Sequence, residues 1–316
     1  MKIRPLLSGM ASYLPFWERL RPPTGGTDSA RYCYSVWLRH LTIASQHGLS
    51  TRFSTFAELG PGNSLGTGLA GLLSGADKYY ALDIVPFTTS EENVRILGEL
   101  VSLFEQRPDI PDEQEFPRVR PNLGSYKFPH ALLPGSRLEK SLSPDRIRAI
   151  KEALVHIERA PVPENPIQIW YLVPWDESTI VADGSVDMIF SQAVLEFVAH
   201  PKDVYAIFYR WLRPGGWMSH QIDFGCHGSA AKWNGHWAYS DLTWKIIKGR
   251  KKIFPNRLPH SAHLDLQKET GFEIVADIPV EDRTGITRTQ LAPRLRRLPE
   301  DDLTISTAHI VSVKPK

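Results

Sequence analysis

Phe56-Ala57-Glu58-Leu59-Gly60-Pro61-Gly62-Asn63-Ser64-Leu65-Gly66 is the stretch on which the fold turns. Thr55 to Leu59 is predicted as a short buried strand and Gly66 to Leu73 as the start of a helix, with a glycine-rich turn between them. Glycine has no Cβ, so such a turn lets backbone N–H groups and a helix N-terminus come close to a ligand. The spacing is Gly-x-Gly-x-x-x-Gly, not the Gly-x-Gly-x-x-Gly of the dinucleotide fingerprint. Glu58 stands two residues before the first glycine, where it would repel a pyrophosphate and suit a cationic amino-acid ligand.

Three further landmarks follow in order. Tyr79-Tyr80-Ala81-Leu82-Asp83 reads as a second strand ending in an acid, 25 residues after Glu58 (83 − 58). Asp183 to Ser191 reads as a later strand, and Leu212-Arg213-Pro214-Gly215-Gly216 as the turn before another. Together with the glycine turn they resemble the class I S-adenosylmethionine-dependent methyltransferases over about residues 55 to 315. The resemblance implies a Rossmann-like α/β sheet of seven strands, mostly parallel, with the last strand antiparallel beside the sixth. It implies S-adenosylmethionine as cofactor and a methyltransferase as the activity. Carried onto this chain, it assigns Glu58, Gly60, Pro61, Gly62 and Asn63 to the cofactor turn. Asp83 would grip the ribose hydroxyls, with Ile84 beside it. Trp175 and Asp176, after a third strand at Ile167 to Val173, would meet the adenine, and Ser191 and Gln192 would lie beside the sulfonium centre. Many relatives carry a histidine where this chain has Phe197, so a base is absent there.

Composition sets the limits of this reading. The 316 residues are 42% hydrophobic and 23% charged, ordinary for a globular protein. A net charge of +2 gives no global nucleic-acid signature. Cys33 and Cys226, the two cysteines, lie far apart and suggest neither a disulfide framework nor a metal cluster, so a reducing cytoplasm fits. No apolar run approaches the roughly 20 residues of a membrane-spanning helix. The first residues are broken by Gly9, Pro15 and Glu18, which argues against a cleaved signal peptide. Leu14, Phe16, Trp17 and Leu20 beside Arg19 and Arg21 could rest on a membrane surface at its inner face, or pack on their own domain.

The chain divides into an N-terminal helical cover, 1–50, and a methyltransferase domain, 51–316, with insertions at about 87–166 and 228–260. In the cover, Ser29 caps a helix from about Ala30 to Gln46, and Tyr32, Trp37 and His40 either line the site or pack as core. The first insertion holds helices at Glu91 to Glu105 and Ser143 to Arg159. Its proline- and charge-rich middle, 107–135, is read as a cap or an oligomer contact.

The fifth strand, expected at Gly216 to His227, carries the most polar atoms of any. A hydroxyl acceptor needs a base, and His and Asp are suitable types. His227 oriented by Asp223 is the preferred arrangement, and His220 the alternative. The equal alternative is that His220 and Asp223 are only hydrogen-bonded supports in the sheet. A divalent metal on Asp223, His227 and another carboxylate has no clear ligand spacing. Downstream, Trp233, His236, Trp237 and Arg257 are candidate acceptor contacts, since aromatic faces suit sugar rings and cations suit phosphate or carboxylate. Ser219 to Asp223, Trp233 to Trp237 and Asn256 to Ser261 also resemble bacterial methyltransferases that accompany surface-polysaccharide enzymes, which implies a glycan hydroxyl and a role in polysaccharide biosynthesis. The other readings are a small natural product or RNA as acceptor, or a non-catalytic cofactor-binding scaffold.

Overall fold

The computed structural model describes residues 3–14, 26–175 and 181–316. Asp176, and Phe16, Trp17, Arg19, Leu20 and Arg21, lie outside the described residues. Seven strands form one sheet: β1 (Thr55–Leu59), β2 (Lys78–Leu82), β3 (Gln168–Leu172), β4 (Val186–Gln192), β5 (Leu212–Asp223), β6 (Glu273–Glu281) and β7 (Ile305–Val313). Their order is β3-β2-β1-β4-β5-β7-β6. β1 to β5 run parallel, and β7 is antiparallel to both β5 and β6. This is the Rossmann-like methyltransferase sheet, and the chain reverses its direction of travel across the sheet between β1 and β4.

The helices are α1 (Ile3–Ala11), α2 (Ala30–Gln46), α3 (Gly66–Leu73), α4 (Ser90–Gln106), α5 (Gly135–Ser141), α6 (Pro144–Val155), α7 (Pro201–Trp211), α8 (Asp241–Lys248) and α9 (His260–Thr270). Alternation along the strands divides the core in two. Phe56, Tyr79, Met188, Phe190 and Trp217 pack under α2, α3 and α4. Ala57, Tyr80, Ile189, Met218 and Ile222 pack on the opposite face, against Tyr205 and Phe208 of α7. Both faces are covered, which is why the parallel strands read as nearly continuous apolar runs.

β1, α2 and α3 have the bounds that the sequence predicts. β5 differs. It begins at Leu212 and stops at Asp223, four residues short of His227 (227 − 223). The Asp223 carboxylate accepts the Gly225 N–H at 2.7 Å and bends the chain out of the sheet, and His227 then adopts φ 44°. α6 ends at Val155, earlier than expected, and β6 extends to Glu281, later. The 107–135 segment is a collar on α2. Arg39 is fully buried and donates to the carbonyls of Pro111 and Pro121, while the Tyr34 hydroxyl donates to Pro108 and that of Ser35 to Pro111. These bonds answer the cost of burying a guanidinium.

Candidate active site at the carboxyl ends of the strands

In open α/β sheets ligands bind beyond the carboxyl ends of the strands, where the strand order reverses. Here that place holds the glycine turn. Gly60 and Gly62 have φ of +71° and +79°, a region that favours glycine, and a Cβ on Gly60 would lie 2.6 Å from Val194. Gly60 N–H donates to the Leu82 carbonyl at 2.8 Å, tying the turn to the end of β2. On its other side the turn is clamped by Thr27, whose hydroxyl donates to Pro61 O at 2.8 Å and accepts Ser64 N–H at 2.9 Å. The Ser64 hydroxyl donates in turn to Thr27 O. At the start of α3, Gly66 lets the helix meet Cys33 of α2, since a Cβ there would stand 2.5 Å from the sulfur.

Glu58 is buried at the end of β1 and accepts a hydrogen bond from the Tyr79 hydroxyl. Burial pushes its carboxyl up to about 8, and the Tyr79 bond opposes the shift. Asp83, just past β2, is also raised by burial, while the N–H groups of Ile84, Val85 and Gly62 pull it back down. Ile84 leaves an apolar side chain 46% exposed beside that carboxylate. Trp175 N–H donates to Asp83 O at 3.0 Å, and its ring is half buried against Phe208 and Trp211. Two acids, a turn with no side chain at Gly60 and Gly62, and an exposed apolar wall fit an adenosyl ligand with a cationic amino-acid end.

Gln192 ends β4 on the face of the sheet covered by α2. A directed hydrogen-bond chain runs to it through the core: His309 to the Ser219 hydroxyl (2.9 Å), Ser219 to His40 (2.7 Å), and His40 to Gln192 Oε1 (3.2 Å). Burial lowers His40 to about 4 and holds His309 well below its ordinary value, so both rings are neutral, and His40 Nδ1 is then free to accept from Ser219 while its Nε2 donates to Gln192. The Gln192 amide then donates to Gln221 and to Arg120 O, so the collar on α2 reaches the strand ends. Trp37 packs as core, its indole N–H donating to Ser74. Tyr32 is half buried with its ring against Phe116, and burial raises its hydroxyl, with smaller contributions from Cys33, Glu58 and Glu196.

His220 lies on the opposite face, fully buried. Its Nδ1 is 2.8 Å from the Ser191 hydroxyl, and its ring stacks on Phe208 at 5.8 Å. Burial lowers it to about 3. A ring so enclosed meets no acceptor; it and Ser191 pack between the sheet and α7. Asp223 and His227 emerge at the strand edge instead, with His227 Nε2 4.0 Å from Asp223 Oδ2 and the imidazole against the Phe197 ring at 4.8 Å. Beside them is Glu196, a residue the sequence reading did not assign to the site. It is 3% exposed, and among the described residues no side chain hydrogen-bonds its carboxylate oxygens. Burial, and then Asp223, push it well above the usual carboxylate range. An acid within the apolar run Val194-Leu195-Glu196-Phe197-Val198 was the available signal, because a buried carboxyl needs a reason. No such signal linked Thr27 to the glycine turn.

The four acceptor candidates are less open than their residue types suggest. Trp237 and His236 are buried, and Trp233 is half buried with its indole N–H on Asp282 O at 3.0 Å. Arg257 donates to Tyr239 O and to Asp241, and its guanidinium lies over the Trp244 ring. These side chains shape the 226–260 loop from within. Among the described residues, no group of three or more His, Cys, Asp or Glu is placed to hold a metal ion, and no helix is long and apolar enough to cross a membrane.

A methyltransferase domain family model matches residues 149–219, from α6 into β5. A search of curated proteins finds no match. Similar solved structures include an S-adenosylmethionine-dependent methyltransferase from Mesorhizobium loti, at 14% identity and TM-score 0.42 over 91% of this chain and 100% of that one. One from Methanosarcina mazei gives 14% and 0.43 over 86% and 97%. Phosphoethanolamine N-methyltransferase 2 of Haemonchus contortus, in complex with S-adenosylmethionine, gives 11% and 0.44 over 98% and 60%. Identities and TM-scores this low say nothing of substrate. The family model spans 71 of the 316 residues (219 − 149 + 1), and over that span the chain is similar to a methyltransferase domain.

Proposed function

We propose that the enzyme O-methylates a hydroxyl of a saccharide or of a glycolipid or polysaccharide precursor. The observation that carries this reading is the Asp223–His227 pair, at the carboxyl end of β5 and partly open to solvent, the place and the chemistry a hydroxyl acceptor needs. Bound S-adenosylmethionine supplies an electrophilic methyl carbon. Glu58 draws the ligand's ammonium group, Asp83 accepts from its ribose hydroxyls, and Tyr32 and Gln192 close the side nearest α2. As the acceptor oxygen bonded to the methyl carbon, the carbon–sulfur bond would break and leave S-adenosylhomocysteine as the neutral thioether. The hydroxyl proton would pass to the His227 imidazole, whose Nε2 faces Asp223, and that carboxylate would steady the imidazolium. The 4.0 Å separation is long for a hydrogen bond, as catalytic pairs often are before substrate arrives.

A second reading, an amine-bearing small natural product, is favoured by the half-buried Asp223 carboxylate at the same edge, which would attract a cation. Two free cysteines, both buried, suit a reducing cytoplasm, where a lipid-linked acceptor would meet the enzyme at the inner face of the membrane. Calorimetry of S-adenosylmethionine binding, followed by a panel of nucleotide-sugars, glycolipids, amines and RNA with labelled cofactor, tests the proposal. Methyl transfer to a glycan hydroxyl is the expected result. Transfer only to amines would select the second reading, and absence of cofactor binding would leave a scaffold.

A further inference from the structure

α1 and α8 form a platform apart from the sheet. Their backbones touch: a Cβ on Gly9 would stand 2.0 Å from Ile246 O, and one on Gly249 would stand 2.3 Å from Gly9 O. The Ser12 hydroxyl seals the crossing, donating to Gly9 O and accepting Arg250 N–H. Beneath, Trp244 and Ile247 of α8 pack with Cys226, Ala230 and Tyr239, so the platform is fixed to the loop that carries His227.

The outer face of the platform is apolar. Ile3, Leu7 and Met10 follow one another along one side of α1 and are 70%, 55% and 52% exposed. Tyr13 and Leu14 continue the line, and Leu242 and Ile246 lie one turn apart on α8. Outside the platform only Ile84, Val155 and Val162 are comparably exposed among the described residues. Monomeric proteins seldom leave such contiguous apolar surface uncovered unless it binds something. Its charges are of one sign. Arg4, Lys245, Lys248, Arg250 and Lys252 are exposed, and none pairs with a carboxylate among the described residues. α1 carries no acid, and the single acid of α8, Asp241, is held by Arg257 and Arg294.

We propose that the α1–α8 platform docks the enzyme on the surface of an anionic lipid bilayer, with its apolar side chains in the interface and its basic residues among the headgroups. Amphipathic helices with basic rims bind membranes by adding buried apolar area to attraction for anionic lipid. The charge argues against a second copy as the occupant, because a two-fold interface sets the same patch against itself and would bring these cations together. Docking would bring the 226–260 loop to the membrane, which suits a lipid-linked acceptor but holds for any acceptor.

Flotation of the full chain with phosphatidylcholine–phosphatidylglycerol vesicles, against phosphatidylcholine alone, tests the proposal. Binding to the anionic vesicles that weakens with salt is expected. Lys245→Glu with Lys248→Glu should lower partitioning at least about tenfold, because each basic residue near an anionic surface contributes roughly a factor of five. Leu7→Glu with Leu242→Glu should abolish it. Calorimetric S-adenosylmethionine binding by each variant shows that it is folded, and it separates failure of docking from failure of the methyl-transfer reading. No flotation of a wild-type protein that binds cofactor would overturn the proposal. So would sedimentation showing self-association that Leu7→Glu abolishes, which would assign the face to a second copy.

Discussion

The Tyr79 hydroxyl donates to the Glu58 carboxyl beneath the glycine turn, and the Tyr79 ring lies against Gly68 of α3, where a Cβ would fall 2.0 Å from it. One tyrosine thus joins β2, the acid of β1 and the helix that carries the turn. The acid is held with a proton that a cationic ligand should expel.

Cofactor affinity should therefore rise with pH. Glu58 is raised by burial to about 8, so it is mostly neutral in the free protein near pH 7. The sign for stability is the reverse of the usual carboxylate: its contribution is full below the unfolded value and is lost as pH rises through about 8. Between about pH 6 and pH 7.5, where the ligand's amino group stays charged, affinity should climb several-fold and binding should release a proton. Calorimetry in buffers of different ionisation enthalpy reads that proton. Glu58→Gln should weaken binding and flatten the profile, and a flat wild-type profile would remove Glu58 from the site.

Acid should unfold the protein early. His40, His220, His236 and His263 are lowered by burial to about 4, 3, 3 and 3, and His309 lies well below its ordinary value. Each stabilises the fold above the unfolded pKa and loses that contribution as pH falls toward its folded value. At about pH 5 the cost is on the order of 2 kcal/mol per ring. Five such rings rival a domain's whole stability, roughly 5–15 kcal/mol. Circular dichroism should show cooperative unfolding between about pH 4 and pH 5. Stability unchanged down to pH 4 would contradict it.

Thr27→Val keeps the shape of the side chain and removes both of its bonds to the turn. At about 1 kcal/mol for each bond, cofactor affinity should fall about five- to thirtyfold with little loss of melting temperature. Equal affinity in the variant would mean that the turn holds its shape without the clamp.

His227→Ala should lower kcat about a hundredfold and leave cofactor affinity nearly unchanged, as loss of a general base does. His220→Ala should act differently, lowering the melting temperature through a cavity beside Phe208. If His227→Ala turned over at the wild-type rate, Asp223 or Glu196 would become the candidate base.

The first two strands were legible because each is a buried apolar run closed by a glycine or an acid, at Leu59-Gly60 and Leu82-Asp83. The cofactor turn was legible for the same reason, since its residues are neighbours in sequence. The acceptor side was not. Trp237 and Arg257 look like ligand contacts by type, yet a 33-residue insertion (228–260) must first fill its own interior, and they are what fills it. The end of β5 was misplaced because Asp223 leaves the ladder through its own side chain, a local choice that competes with strand pairing. Thr27 acts across a gap of 34 residues (61 − 27), and pattern along the chain carries no trace of it, whereas Glu196 showed only as an acid inside an apolar run, with nothing to tie it to Asp223 27 residues on (223 − 196).

β7 lies between β5 and β6, and β6 pairs with β7 alone. During synthesis β6 therefore emerges with no strand to receive it, and β5 keeps a bare edge until residues 305–313 follow. A nascent chain stalled before that point would present a long, largely buried strand as a template for other chains, the arrangement from which aggregation starts. The last strand to be made is the one that closes the sheet.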